Sequence, residues 1–577
     1  MSDIEATVKA LARKYALENA VKHGGKANPG AVVGKIMGEN PDLRAHAKTI
    51  PQWSAATVAE VNTLTAEQQR AEFEAYQAEF EAKAKAKADA KSAFPLKPLP
   101  NAEKGKVVMR LAPNPSGPPH MGHARGFVIN WLYKQHYDGK FILRYDDTDT
   151  TVKPPMPEAY GWILDGMRWL CGEPDMVFAA SDHMEHYYHW AEETFKVNGA
   201  YVCECPAETF RALKEQGEPC PHRGQSVEVN LQKWRDMLAG KYKRGEVTVR
   251  IKTDIQHKDP ALRDWVAFRI AEDPHPKVGT KYRVWPLLDF QSAIDDRISG
   301  VTHIIRGKDL RDSTAKQFFL YEHLGWKYPE TLYWGRVSIH EFGKFSKSIL
   351  SEAIKKGEYE GWDDPRLPTL TALRRRGFTA EGIRNFWVSL GLSEKDIAAS
   401  LATVEAENKK VVEPIANRYF WVADPVKIRL TGAAHLDASA PLHGDDPARG
   451  SRLHHLEAAN GAIEVYVPRE DLQGVAAGSK LRLKDLANLE FTSDTEARYL
   501  GNELEFLKQP GVRIIHWAPV HGVRCRVKMP DATVVEGIAE EHVAREKVDA
   551  LLQFERVGFV RVDAIGKDGI LCYFTHK

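Results

Sequence analysis

The sequence predicts a multidomain α/β protein in which a nucleotide-binding core is split by an insertion, preceded by helices and followed by a helical segment and β-barrels. Three observations support this. At 577 residues the chain is longer than one hydrophobic core usually serves, given roughly 150 residues per domain. Residues 105–146 run strand, glycine-rich loop, apolar-periodic helix and strand, the order of a mononucleotide-binding unit. Beyond residue 419 short apolar strands alternate with Gly, Pro and Asp turns, as in barrels.

Composition sets the outer bounds. With 43% hydrophobic and 28% charged residues the chain reads as folded, not disordered. Lys plus Arg number 80 against 79 Asp plus Glu, so a nucleic-acid-binding face has to be local. The start lacks the features of a signal peptide, and no segment shows about 18 uninterrupted apolar residues, so a cytoplasmic address without membrane association is expected. Six cysteines, three of them close together, argue against a disulfide scaffold and for metal ligation in a reducing compartment.

Taken in order, residues 1–100 form a helical appendage and linker. The segment TAEQQRAEFEAYQAEFEAKAKAKADAK combines helix formers with i,i+4 opposite charges and reads as a solvated spacer, a nucleic-acid contact or a protein-partner surface, until FPLKPLP breaks the helix. Residues 101–199 hold the first half of the core, with strands at GKVVMRLA and KFILRYD. Residues 200–284 form the insertion, marked by a Cys/His cluster and the alternating VTVRIKTD. Core character returns over 285–349 with LLDFQSAIDD and VTHIIRG; 350–418 is helical, and 419–577 is barrel-like.

Two segments carry the chemistry. RLAPNPSGPPHMGHARG (110–126) sets His120, Gly122 and His123 on the first turn of a helix, where free N–H groups and the dipole favour phosphate. Gly122 admits a nucleoside to the backbone, while both imidazoles either donate to phosphate or serve as capping residues. EFGKFSKSIL (341–350) places Lys344 and Lys347 three apart in a Gly/Ser loop, suited to a triphosphate and its departing pyrophosphate. In the insertion, Cys203, Cys205, Cys220 and His222 make a CxC…CxH array suited to tetrahedral Zn²⁺, with unliganded cysteines as the other reading.

HMGH and KFSKS, with FILRYDDTDT (141–150), GVTHIIRGKDL (300–310) and GWDDPRLPTL (361–370), resemble the class I aminoacyl-tRNA synthetases, and among them the glutamyl enzymes of the archaeal and eukaryotic branch. The resemblance spans about residues 100–577. It implies a Rossmann-like catalytic core, an inserted acceptor-stem-binding domain, a helical connecting domain and β-barrel anticodon-binding domains. It also implies a monomeric ligase that uses ATP with Mg²⁺ to join L-glutamate to tRNA(Glu) through glutamyl-adenylate, with tRNA(Gln) as a further acceptor left open. His120, Gly122, His123, Lys344, Ser346 and Lys347 would contact ATP, with the two histidines and two lysines catalytic.

For glutamate the resemblance implies Arg110, Ala112, Asn114, Asp146, Leu288, Ser292 and Arg306. Arg306 takes the side-chain carboxylate, where a neutral amide would leave the cation unpaired; glutaminyl enzymes carry Cys there. Two positions depart from the family pattern. Leu288 replaces an aromatic hydroxyl and Ser292 replaces Asn, so their hydrogen bonds are either supplied elsewhere or missing. Basic residues in 241–252, 374–376 and 479–486 are candidates for an RNA backbone or a solvated face. The alternatives are a glutaminyl-tRNA synthetase and a non-catalytic tRNA-binding paralogue; Arg306 argues against the first, and the intact histidines and Lys347 against the second.

Overall fold

The computed structural model describes residues 3–92, 94–342 and 347–577. Residues 1–95 form one compact unit and 96–577 another. In the first, α1 (Asp3–Lys22), α2 (Pro29–Glu39), α3 (Ile50–Thr63) and α4 (Ala66–Ser92) surround a core that includes Val8, Ala12, Leu17, Ile36 and Val61. Asn28 caps α2 by accepting from the Ala31 N–H, with Pro29 at the first helical position, so the turn before it is fixed locally. Buried Glu18 is held by Lys22 and Lys35. The N-terminal residues thus fold around an apolar interior that their polar composition conceals, and the segment read as a spacer contributes Phe73, Tyr76 and Phe80 to its edge.

The second unit is built on a five-stranded parallel sheet. Its strands are β1 (Val108–Leu111), β2 (Lys140–Tyr145) and β3 (Met176–Ala179), then after the insertion those at His303–Gly307 and Glu330–Trp334. Helices α5 (Met121–His136) and α6 (Pro157–Cys171) link the first three, and α7 (Met184–Lys196) follows β3. Between them lies an antiparallel sheet of β4 (Ala200–Cys203), β5 (Thr248–Ile251), β6 (Val266–Ile270) and β7 (Val284–Pro286), with α8 (Ala207–Gln216) and α9 (Val227–Leu238) between β4 and β5. The chain re-enters the core through α10 (Leu288–Ile298), β8 (His303–Gly307), α11 (Arg311–His323) and β9 (Glu330–Trp334).

The parallel order is β3-β2-β1-β8-β9, so the direction of winding reverses between β1 and β8. In such sheets ligands bind beyond the carboxyl ends at that reversal, because loops diverge there and leave a crevice. β2 is buried along all but its first residue, as expected of a strand covered on both faces. The turn before α5 is stitched to the 361–370 segment: Met121 N–H donates to the Pro368 carbonyl and Leu370 N–H to that of Pro119, both at 2.9 Å. That pairing accounts for two distant motifs occurring together.

Helices at Leu370–Arg376, Ala380–Leu390 and Leu401–Val412 connect to two seven-stranded barrel-like sheets. One has Ile428, Leu430, Val465, Leu489 and Trp517 in its core; the other has Trp421, Val527, Phe554 and Val562. The hairpin His435–Pro441/Ser451–Glu457 packs Leu436 and Leu456 into the first core.

Several basic residues considered for RNA are structural. Arg376 is buried and donates to the Thr575 carbonyl, Arg375 pairs with Asp563 and Asp363, and buried Arg482 donates to Asn488 at 2.6 Å. Buried Arg250 lies over the Phe210 ring. Charge runs near helix and strand ends supply side chains to carbonyls and carboxylates before they supply a solvated face.

Candidate active site

Beyond the reversal point a cavity of about 180 Å³ opens beside α10 and α11. Arg110, Ala112, Asp146, Leu288, Ser292 and Arg306 all line it. Asn114 instead lines an adjoining cavity of about 590 Å³. The spacing works because strand ends converge: Arg110 comes from β1, Asp146 follows β2, Arg306 lies one residue before the end of β8, and Leu288 and Ser292 sit on one face of α10.

The floor of this cavity is a buried charge network. Arg144, 1% exposed, donates to Asp146 Oδ1 at 2.7 Å, Asp296 Oδ1 at 2.8 Å and Ser292 Oγ at 2.7 Å. Arg110 forks onto both oxygens of Asp296 at 3.0 and 3.1 Å. Asp295 receives the Tyr187 hydroxyl at 2.7 Å and the Gln291 amide at 2.6 Å, and approaches His183 at 2.9 Å. Burial opposes ionisation of Asp296, but Arg110 and Arg144 outweigh it and hold the carboxyl below its usual range. For Asp146 burial wins over Arg144, and the pKa is raised.

Arg110 is therefore already committed to Asp296 through Nε and one terminal nitrogen of its guanidinium. The Ser292 hydroxyl accepts from Arg144, so this side chain is tied into the buried network. Leu288 is 45% exposed and offers only apolar surface at the mouth of the cavity.

Arg306 differs from its neighbours. It is 5% exposed, yet among the described residues no carboxylate pairs with it. One terminal nitrogen donates to Gln317 Oε1 at 3.1 Å and to the Tyr328 hydroxyl at 3.2 Å, and Nε is buried without a partner. Tyr328 in turn donates to Gln317 Oε1 at 2.6 Å. Burial pulls the guanidinium pKa down, since the charge has left water without a compensating anion.

At the N-terminus of α5, His120 Nδ1 accepts from the Gly122 N–H at 3.1 Å and His123 Nδ1 accepts from the His120 N–H at 3.2 Å. This reciprocal capping fixes both rings, 4.0 Å apart, and places the proton of each neutral ring on Nε2. A Cβ on Gly122 would meet His120 Cε1 at 2.9 Å, which is why this position is glycine. Lys344 and Ser346 lie outside the described residues; Lys347 opens the helix Lys347–Lys355, and its side chain is likewise outside the description.

The larger cavity lies between the core strand ends and the insertion, with Lys153, Lys214, Arg250, Arg269 and Lys316 around it. Two are partly neutralised, Arg269 by Asp149 at 3.0 Å and Lys316 by Asp289 at 3.1 Å. Further out, Cys203, Cys205, Cys220 and His222 bring one ligand atom each to within 4.8 Å of one another. Cys203 and Cys220 sulfurs are 3.9 Å apart and Cys205 Sγ is 3.3 Å from His222 Nδ1. Contact with Cys220 lowers the Cys203 thiol to about 7.

Sequence reasoning missed Arg144, Asp295, Asp296, Gln317 and Tyr328. An arginine inside the otherwise apolar FILRYD strand was a readable signal, because an unpaired buried arginine is rare and demands carboxylates nearby. Gln317 and Tyr328 left none, since they meet Arg306 only through the packing of α11 against β8 and β9.

Residues 106–414 match the family model described as tRNA synthetases class I (E and Q), catalytic domain. Residues 416–506 and 514–563 match two models described as anticodon-binding domains of the same synthetases. The chain is 48% identical over 572 residues, 99% of both proteins, to a glutamate–tRNA ligase of Methanothrix thermoacetophila. It is 48% identical to one of Methanosarcina barkeri over 98% of both chains. It is 47% identical to one of Pyrococcus furiosus over 99% of this chain and 100% of the other.

Proposed function

The chain belongs to the class I tRNA synthetases (E and Q), and from that premise we propose that it is a glutamate–tRNA ligase acting on tRNA(Glu). The observation that carries the choice of amino acid is Arg306, a buried cation with no anion of its own among the described residues, beside a cavity about 180 Å³ in volume. A γ-carboxylate there pairs with the guanidinium and fills Nε. The amide of glutamine would turn a donor towards the guanidinium, and the nearest acceptor beside it, Gln317 Oε1, already accepts from both Arg306 and Tyr328.

Asp146 is suited to the α-amino group: the partners described for its carboxylate, Arg144 and Gln291, both engage Oδ1. Arg110 acts one step back, fixing Asp296 and through it Arg144. The α-carboxylate then faces the α5 turn, where the Nε2–H groups of His120 and His123 are suited to donate to phosphate oxygens as charge builds during attack on ATP. Lys344 and Lys347 are assigned to the departing pyrophosphate. Mg²⁺ accompanying ATP supplies charge neutralisation. No side chain is required as a nucleophile, since the substrate carboxylate attacks and the tRNA hydroxyl later displaces AMP.

The basic rim of the larger cavity, continuous with Asp146, is suited to admit the acceptor end of the tRNA. The Cys/His cluster fits a structural Zn²⁺. Tetrahedral Zn–S bonds of about 2.3 Å imply sulfur separations of about 3.8 Å, and Cys203 and Cys220 stand 3.9 Å apart. His222 Nε2 also faces Glu204 at 3.4 Å, the carboxylate support common behind a ligating imidazole.

Attachment of labelled glutamate and glutamine to purified tRNA(Glu) and tRNA(Gln) tests the assignment. Glutamate on tRNA(Glu), with no glutamine on either, is expected. Glutamine attachment would overturn the role of Arg306, and no attachment at all would revive a non-catalytic RNA-binding paralogue.

A further inference from the structure

The barrels carry a second cluster of ligating side chains that tRNA charging does not use. His454 lies on the strand Ser451–Glu457, whose hairpin packs into the first barrel core; Glu540, Glu541 and His542 follow the strand Val534–Ala539 of the other barrel sheet. One atom each of His454, Glu540 and His542 lies within 4.8 Å of the other two, and all three residues are buried.

What marks the cluster is how its hydrogen bonds run out. Glu540 Oε2 is fully engaged, accepting from Arg452 at 2.6 Å and from the Phe420 N–H at 2.9 Å. Its other oxygen, Oε1, is buried with no partner. It faces His454 Nε2 at 3.8 Å and His542 Nδ1 at 3.6 Å, both also buried and without a hydrogen bond. Those separations are too long for hydrogen bonds. They approach the roughly 3.4 Å edge of a tetrahedron of N and O donors about 2.1 Å from a central ion.

The imidazole orientation agrees. His454 Nδ1 meets Glu541 Oε1 at 3.2 Å, and a carboxylate there only accepts, so Nδ1 carries the proton. In the neutral ring Nε2 is then a lone pair aimed at a carboxylate oxygen, two acceptors facing one another in a buried space. A carboxylate behind a histidine that presents its other nitrogen inwards is the usual support of a metal-ligating imidazole. The nearby charges leave room for a cation: Glu540, Glu541 and Glu555 face Arg452 and Lys484.

We propose that His454, Glu540 and His542 bind a divalent transition-metal ion, of which Zn²⁺ suits two imidazoles and a carboxylate, and that this ion pins one barrel to the other. Glu541 orients His454 from behind. The ion would fix the angle between the two anticodon-binding modules without entering the chemistry of charging.

The test is zinc binding by the full-length protein after chelator treatment, by metal analysis and calorimetric titration with Zn²⁺ alone. A Cys203→Ser/Cys205→Ser chain, which lacks the thiolate cluster, is expected to bind one Zn²⁺ and to gain in Tm on adding it. Adding His454→Gln and His542→Gln is expected to abolish both effects. Should those replacements prevent folding, Co²⁺ added to the Cys-substituted chain decides the matter: weak visible absorption without a thiolate charge-transfer band is expected. A Cys-substituted chain that takes up neither ion would overturn the proposal and leave a protonated histidine bridging the carboxylates. So would Zn²⁺ binding that the histidine replacements leave unchanged.

Discussion

Arg144 and Arg306 are both buried arginines on the same parallel sheet, two strands apart, and the protein treats them oppositely. Arg144 is surrounded by Asp146, Asp295 and Asp296, with carboxylate oxygens 2.7 to 3.6 Å from its nitrogens. Arg306 has a glutamine and a tyrosine hydroxyl, and one nitrogen with nothing. A fold that can gather three aspartates around one arginine does not leave the other unpaired for want of acid. The first is complete as folded; the second, in the proposed reading, is completed by the substrate carboxylate.

The two arginines should differ most in what they contribute to stability. Arg144→Met should remove the cation that the three aspartates share, and stranding buried carboxylates typically costs about 3–5 kcal/mol. Urea denaturation should show that loss. Arg306→Met should leave stability within about 1 kcal/mol of the parent, since an apolar side chain replaces a cation that the fold itself does not satisfy. Equal losses from the two substitutions would make Arg306 a structural residue and withdraw the glutamate assignment.

The same Arg306→Met chain should be impaired in catalysis. Removing one partner of a desolvated charge pair costs about 2–5 kcal/mol, so kcat/KM for glutamate in adenylation should fall on the order of 10²- to 10³-fold. Pyrophosphate exchange in the presence of tRNA measures it. A fall below tenfold would mean that the γ-carboxylate is bound elsewhere.

How far these roles were legible in the sequence follows from how local each signal is. HMGH could be read because a helix N-terminus is a local object, and its capping geometry is formed within four residues. Arg306 could be read through resemblance, but not its lack of an anion, which depends on α10 and α11 closing over β8. The network below it escaped because Asp295 and Asp296 lie about 150 residues from Arg144 and look, in SAIDDRIS, like a solvated helix face. Residues 1–92 misled for the opposite reason: alanine-rich helices bury small side chains that composition counts as indifferent, so the core around Ala12, Ala16 and Ala20 could not be told from a spacer.

The catalytic core and the barrels should also separate under acid. His516 is buried, its Nε2–H donating to the Trp421 carbonyl at 2.8 Å while Nδ1 accepts from Arg556 at 3.1 Å. Burial, with the Arg556 charge behind it, pushes its pKa from 6.5 down to about 4. Burial takes His576 to about 4 as well. A histidine held neutral contributes stability above its unfolded pKa, and that contribution is lost as pH falls towards the folded value. For His516 the window runs from 6.5 to about 4, worth up to roughly 3 kcal/mol. In the core, Asp296 is held below its ordinary value, so its contribution is lost only at more acidic pH. Hydrogen exchange at pH 7 and 5 should show barrel amides losing protection before those of the parallel sheet; simultaneous loss would contradict this order.

The smallest effect asks whether Arg306 is merely present or held in place. The Tyr328 hydroxyl accepts from Arg306 and donates to Gln317, closing a triangle that leaves the guanidinium one orientation. Tyr328→Phe keeps the ring, which packs edge-on against Tyr321, and removes only that hydroxyl. A hydrogen bond of this kind contributes about 1 kcal/mol, so KM for glutamate should rise roughly threefold to tenfold, with kcat for adenylation nearly unchanged. The split matters more than the size. A loose guanidinium should weaken ground state and transition state alike, because in the proposed reading it contacts the γ-carboxylate, which does not react. A fall in kcat at constant KM would instead place Tyr328 in the reacting geometry, and the paired and unpaired arginines would no longer divide cleanly between fold and substrate.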